Sequence, residues 1–249
     1  MTNSKTRLQS VMNFIKLAEQ QANRSPGSVK LLAVSKTWPA SRLRELAEAG
    51  QTRFGENYLQ EALQKIAELA DLELEWHFIG PVQSNKTRDI AANFDWVESV
   101  DRLKIAQRLS DQRPTEKPPL NICLQVNIDD EASKAGVHPD GLIELAAAVS
   151  QLKNVRLRGL MIIPAIAETV EQQLDAFARA QQLFLNSKPP TLLLILYQWE
   201  CQLICRPLFR KAAPWSGLGR RCLVRDIHPI NNNQYTTVLK SPSQWRKFK

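Results

Sequence analysis

Lys36 closes a short apolar run, Leu31-Leu-Ala-Val-Ser-Lys36, and is followed by Thr37. A lysine held at the end of a buried strand loses solvation, which disfavours its ammonium form, and the neutral amine that results attacks aldehydes. From position alone the plainer reading, a solvated lysine at a strand end, stands ahead of this one. Asn57, His77 and Met161 close equivalent later runs. A single histidine such as His77 is more often a packed, hydrogen-bonded core residue than a proton shuttle. Cys201-x₃-Cys205 has no second pair at ligand spacing and His228 is isolated, so no metal site is expected.

The elements that must position Lys36 alternate between helix and strand. Leu8, Val11, Met12, Ile15 and Ala18 recur at helical spacing, and Pro26-Gly27 ends that segment. The run 31–36 lacks alternation, as a strand buried on both faces does. Pro39 then opens a helix carrying Leu43, Leu46 and Ala47, stopped by Gly50. The unit recurs with varied lengths: 52–57 before a helix with Leu59, Ala62, Leu63, Ile66 and Leu69; 75–80 before 84–93; 95–100 before a helix that Asp101 is expected to cap. Residues 120–128 precede a helix over 142–152, and 155–161 precede one bearing Val170, Leu174, Phe177 and Phe184.

An initial helix and six strand–helix units result. Parallel strands joined by right-handed crossovers form either a closed (β/α)₈ barrel or an open doubly wound sheet. No G-x-G-x-x-G loop follows the first strand, which counts against a dinucleotide-binding sheet. Eight barrel units need about 250 residues, and the chain has 249.

Six segments carry a family resemblance. Leu32-Ala-Val-Ser-Lys36-Thr, Phe54-Gly-Glu-Asn57-Tyr-Leu-Gln-Glu61, Trp76-His-Phe-Ile-Gly80 with Gln83-Ser-Asn-Lys86, Gln125-Val-Asn-Ile128, Ser133-Lys-Ala-Gly136 and Arg158-Gly-Leu-Met161 resemble the pyridoxal phosphate homeostasis family. Those proteins are similar to the N-terminal barrel of alanine racemase standing alone. The resemblance spans residues 5–186 and implies a (β/α)₈ TIM barrel with pyridoxal 5'-phosphate (PLP) held as a Schiff base on Lys36, and with Asn57 as a further cofactor-binding residue. It implies a carrier or buffer in intracellular vitamin B6 homeostasis, with no catalytic residue to assign. A PLP-dependent amino-acid racemase is the alternative, but racemisation needs a second acid/base on the opposite face, and the matching region offers no evident one.

The pattern stops after Pro189-Pro190. Thr191-Leu-Leu-Leu-Ile-Leu196 reads as a strand, and Pro207, Pro214, Pro229 and Pro242 break the remainder of the chain. Residues 187–249 hold 11 basic and 2 acidic side chains, against 22 and 23 in residues 1–186. The net charge of +8 is therefore a property of the tail, as are Cys201, Cys205, Cys222, Trp199, Trp215 and Trp245. The resemblance implies a phosphate-binding ending of the type Ser-Met-Gly-Met-Ser, then Met-Val-Arg-Ile-Gly-Thr-Ala-Ile-Phe-Gly-Ala-Arg, and neither stands here. Both return when the codons are read two bases late. Tyr197-Gln-Trp-Glu-Cys-Gln202 must be TAY-CAR-TGG-GAR-TGY-CAR, whose shifted triplets YCA, RTG, GGA, RTG and YCA permit Ser-Met-Gly-Met-Ser with the glycine forced. Residues 214–226 likewise permit Met-Val-Arg-Ile-Gly-Thr-Ala-(Met/Leu/Val)-Phe-Gly-Ala-Arg. A frameshift near residues 186–194 is expected, dividing the chain into a PLP-binding barrel, 1–186, and an out-of-frame tail, 187–249. Strands seven and eight are then lost or non-native, two sheet edges stand unpaired, and cofactor binding is impaired.

Composition excludes several classes. With 43% hydrophobic and 23% charged residues, the chain is neither disordered nor collagen-like, and four cysteines read as free thiols rather than a disulfide scaffold. No 18-residue apolar stretch and no leading apolar segment occur, so no membrane association and a cytoplasmic location are expected. The tail's basic residues follow no helical face, so no nucleic-acid partner is expected, and the protein is expected to be a monomer.

Overall fold

The computed structural model describes residues 4–129, 135–164, 169–186, 193–196 and 222–226. Helix α1 (Ser4–Gln21) precedes β1 (Val29–Val34), α2 (Ala40–Glu48), β2 (Arg53–Glu56), α3 (Leu59–Glu68), β3 (Glu75–Phe78), α4 (Thr87–Asn93) and β4 (Trp96–Val100). There follow α5 (Leu103–Asp111), β5 (Leu120–Val126), α6 (Leu142–Ser150), β6 (Val155–Ile162), α7 (Val170–Asn186), β7 (Leu193–Leu196) and β8 (Cys222–Asp226). The strands close a barrel in sequence order.

Alternation along each strand builds two apolar layers. Leu31 and Ala33 of β1 join Leu43, Leu46, Phe54, Ala62 and Ile90 between sheet and helices. Leu32 and Val34 turn inward and pack with Trp96, Cys123 and Met161 inside the barrel. The six helices after β1 to β6 bury one face each, which is why the periodicity was readable in the sequence. Among the described residues no helix is long and apolar enough to cross a membrane.

Strands β1 to β7 are parallel neighbours. Strand β8 runs antiparallel to both β1 and β7, whereas all eight strands of a (β/α)₈ barrel are parallel. The expectation of two unpaired edges is therefore corrected: β6 pairs with β7, and β1 pairs with β8 over five residue pairs from Val29–Asp226 to Ala33–Cys222. An edge presents backbone N–H and C=O groups that any extended segment satisfies, whatever its side chains or direction. Cys201, Cys205 and His228 lie outside the described residues, and Cys222 enters as part of the β8 backbone. Asp101 does not cap α5. Its carboxylate pairs with Arg102 Nη1 at 2.7 Å, and Arg102 is the residue that precedes the helix.

The entry to β1 is set by Glu19 on α1, which is only 3% exposed. Its Oε1 accepts from Val29 N–H at 2.7 Å and the Ser28 hydroxyl at 3.2 Å, and its Oε2 from Gly27 N–H at 2.9 Å. Burial by itself would raise the carboxyl pKa. The Val29 and Gly27 N–H groups, the Ser28 hydroxyl and the Arg24 charge together outweigh it and hold the pKa below the usual carboxylate value. Glu19 therefore adds stability above that usual value, and the stability is lost as pH falls through the lowered folded value. Glu19→Ala strands these donors and is expected to cost about 3 kcal/mol at neutral pH. Urea unfolding of the two proteins should show a full gap at neutral pH that closes in acid.

Candidate functional site

Lys36 lies two residues beyond the end of β1, in a turn, rather than as the last strand residue. The ladder ends with Ser35 N–H donating to Gly55 O at 2.9 Å, after which Trp38 N–H closes back on Ser35 O at 3.0 Å. Val34 faces the barrel interior and the Ser35 hydroxyl faces outward to Glu56. Lys36 is half-buried and stands just past the C-terminal end of β1. This is the C-terminal face, where barrel sites are built.

The turn is held in an unusual conformation. Thr37 has φ = 66°, the left-handed region that a β-branched residue occupies at a cost of roughly 1–3 kcal/mol. Its N–H donates to Glu61 Oε1 at 2.5 Å. Behind the turn, between β2 and α3, the Lys65 ammonium places all three donors on acceptors: Ser35 O at 2.8 Å, Glu56 Oε1 at 2.7 Å and Glu61 Oε1 at 2.5 Å. Glu56 Oε1 also accepts from the Ser35 hydroxyl at 2.5 Å. Burial pushes the Glu56 carboxyl pKa up, against the pull of Lys65 and Ser35. Glu56, Glu61 and Lys65 went unrecognised in the sequence. The signal was there: Lys65 sits on the buried stripe of α3 with Leu59 and Ala62, four residues after Glu61.

Asn57 follows β2 directly and reaches the same mouth. A Cβ built on Gly80, just past β3, would lie 2.1 Å from Asn57 O, so only glycine lets the two backbones approach this closely. The Gly80 carbonyl in turn accepts from the Ser99 hydroxyl at 2.5 Å. Gly80→Ala is expected to push the two strand ends apart and cost about 2–3 kcal/mol. Urea unfolding measures the loss.

His77 and Met161 do not join Lys36 and Asn57. Met161 packs into the interior cluster. His77 is fully buried within β3, where Nδ1 pairs with Glu98 Oε1 and Nε2 with Glu75 Oε1 at 2.7 Å. Glu75 also pairs with Arg53 at 2.9 Å, and the His77 ring stacks on Trp96 with centroids 5.4 Å apart. Arg53 and Glu75 begin their strands, so this chain of charges runs toward the N-terminal end of the barrel, the face that serves stability rather than chemistry. Among the described residues no group of three His, Cys, Asp or Glu side chains stands ready to hold a metal ion.

Comparison with known proteins agrees with this architecture. The sequence profile of the alanine racemase N-terminal domain matches residues 10–194. The pyridoxal phosphate homeostasis protein of Pseudomonas aeruginosa is 63% identical over 172 residues, covering 69% of this chain and 75% of its own. That of Escherichia coli K12 is 50% identical over 184 residues, covering 73% of this chain and 79% of its own. Among solved structures, PipY of Synechococcus elongatus PCC7942, with PLP bound, superimposes with a TM-score of 0.60 at 39% identity, over 70% of this chain and 81% of its own. Alanine racemase from Corynebacterium glutamicum, at 18% identity and a TM-score of 0.53, shares the fold over 79% of this chain and 55% of its own.

Proposed function

This chain belongs to the alanine racemase N-terminal domain family, among the pyridoxal phosphate homeostasis proteins, and on that premise we propose that it binds PLP through Lys36 and serves intracellular vitamin B6 homeostasis. When bound, the cofactor supplies an aldehyde that a primary amine captures and releases reversibly. The observation that carries the reading is Lys36 itself, a half-buried amine just past the C-terminal end of β1, on a turn whose backbone is fixed from behind. That donor fits the reactive end of the cofactor. Asn57 follows the C-terminal end of the neighbouring strand β2 and is proposed as the second cofactor-binding residue. Incubating the full chain with PLP, reducing with borohydride and mapping the peptides tests the assignment. The adduct is expected on Lys36, and an adduct confined to other lysines overturns it.

The protein acts as a carrier rather than an enzyme in this reading. A racemase needs a second base facing the first, and His77, the histidine inside the barrel, has both ring nitrogens engaged by carboxylates. Incubation with L-alanine or D-alanine and then chiral separation is expected to show no interconversion. The protein works as a cytoplasmic monomer with PLP as its ligand and no nucleic-acid partner, since the basic charge belongs to the tail.

The tail, 187–249, is read as out of frame, and 1–186 as the PLP-binding barrel. Two family motifs recovered in one shifted frame support this, as do the family match over residues 10–194 and the reversed direction of β8. Sequencing the gene tests it. An uninterrupted frame in independent clones, with a protein mass of 28.3 kDa, leaves a mutation in the organism as the only form of the frameshift. The same sequencing would expose a misread base.

A further inference from the structure

We propose that Lys65, with Glu61, is a positioning residue that fixes the turn bearing Lys36 and so sets the direction from which its amine meets an aldehyde. The inference rests on the proposed role of Lys36 and deepens it. The backbone groups on either side of that side chain are held. Ser35 N–H is taken by Gly55 O, and Ser35 O receives both Trp38 N–H and the Lys65 ammonium. Thr37 N–H is taken by Glu61 Oε1. The last of these matters most. Thr37 sits at φ = 66°, where glycine is at ease and a β-branched residue is not. A residue stays in such a conformation only where its surroundings over-determine it.

The holding groups are linked through Lys65, while among the described residues Glu56 Oε2 stays buried without a hydrogen-bond partner. Lys65 is 5% exposed and Glu56 0% at their side chains, and Lys65 joins Glu56 to Glu61. Removing the cation would leave two carboxylates facing a buried gap and would take one partner from Ser35 O. Burying Lys65 and Glu56 beside the partly exposed Glu61 is expensive, and well-packed apolar residues would give the helix–sheet contact at lower cost. What the ionic unit adds is direction: an ammonium with three fixed acceptors ties α3 to the two backbone groups on either side of Lys36. A near-attack arrangement is sensitive to displacements of about an ångström, which cost up to roughly a hundredfold in rate.

The test measures the rate at which Lys36 is labelled in the full chain by excess PLP with borohydride, scored by peptide mapping. The exposed Lys16 and Lys104 serve as internal references. Lys65→Met keeps the stem and removes the charge, and is expected to slow labelling of Lys36 about tenfold to a hundredfold, leaving the two references unchanged. Adding Thr37→Gly to that variant removes the conformational cost of the turn and is expected to restore much of the rate. Urea unfolding of each variant reads global stability separately from the labelling rate, and a loosened fold would also change labelling of the two reference lysines. If Lys65→Met does not fold, Glu61→Gln is used with the same expectations, since it weakens the tie to Lys65. An unchanged Lys36 rate, or a slowed one that Thr37→Gly fails to raise, overturns the inference. Label absent from Lys36 in the unsubstituted chain instead overturns the proposed function, so the two failures are told apart.

Discussion

Lys36→Ala is expected to reduce the borohydride-stable PLP label at the barrel mouth to background, a loss of about a hundredfold or more, because a covalent link to the cofactor needs an amine and alanine carries none. Lys36→Arg should fail equally. It keeps the positive charge, but the guanidinium stays protonated across the accessible pH range and does not add to a carbonyl. The pair of variants thereby separates nucleophilic capture from simple attraction of an anion. Stability should move by no more than about 1 kcal/mol, since the residue is half-exposed and the turn is also pinned at Ser35 and Thr37 by Lys65 and Glu61. Peptide mapping with urea unfolding on the same samples reads both quantities. Label that persists in Lys36→Ala at the level of the parent chain would place the adduct elsewhere.

Restoring the reading frame after residue 186 is expected to tighten PLP binding by about a thousandfold. Phosphate sites on these barrels lie in the loops after the last two strands, where backbone N–H groups and helix N-termini meet the dianion. Each hydrogen bond to a charged group is worth roughly 1.5–3 kcal/mol, so two or three recovered donors amount to roughly 4 kcal/mol, or about three decades in Kd. Equilibrium dialysis of the chain as written against the repaired chain measures the difference. Equal affinities would sink the frameshift account of the tail. The repaired chain should also carry an eighth strand parallel to β1, in contrast to the antiparallel pairing of Val29–Ala33 with Cys222–Asp226, and a crystal structure would show its direction.

The readable part of this protein was its local periodicity. Apolar residues at helical spacing in α1, α3 and α6, and the apolar run Leu31–Val34 in β1, mark elements whose identity depends on neighbours a few positions away. The exact end of β1 was less legible. The ladder stops at Val34 and Lys36 falls in the turn, because Ser35 O is taken by Trp38 and Lys65 instead of by a neighbouring strand. His77 read as one more strand-end residue, yet it lies inside β3 clamped between Glu75 and Glu98, a placement set by the in–out phase of three adjacent strands.

The sequence by itself determined an initial helix, six strand–helix units and the amine at the end of the first, since hydrophobic period and turn residues act over short stretches of chain. Tertiary structure alone decided that Lys65 reaches under the Lys36 turn, that Gly80 must lack a side chain where it meets Asn57, and that β8 closes the barrel in reverse. Those outcomes join residues tens of positions apart. They depend on the angle at which α3 lies on the sheet and on which free edge a distant segment meets, and backbone hydrogen bonding accepts either strand direction.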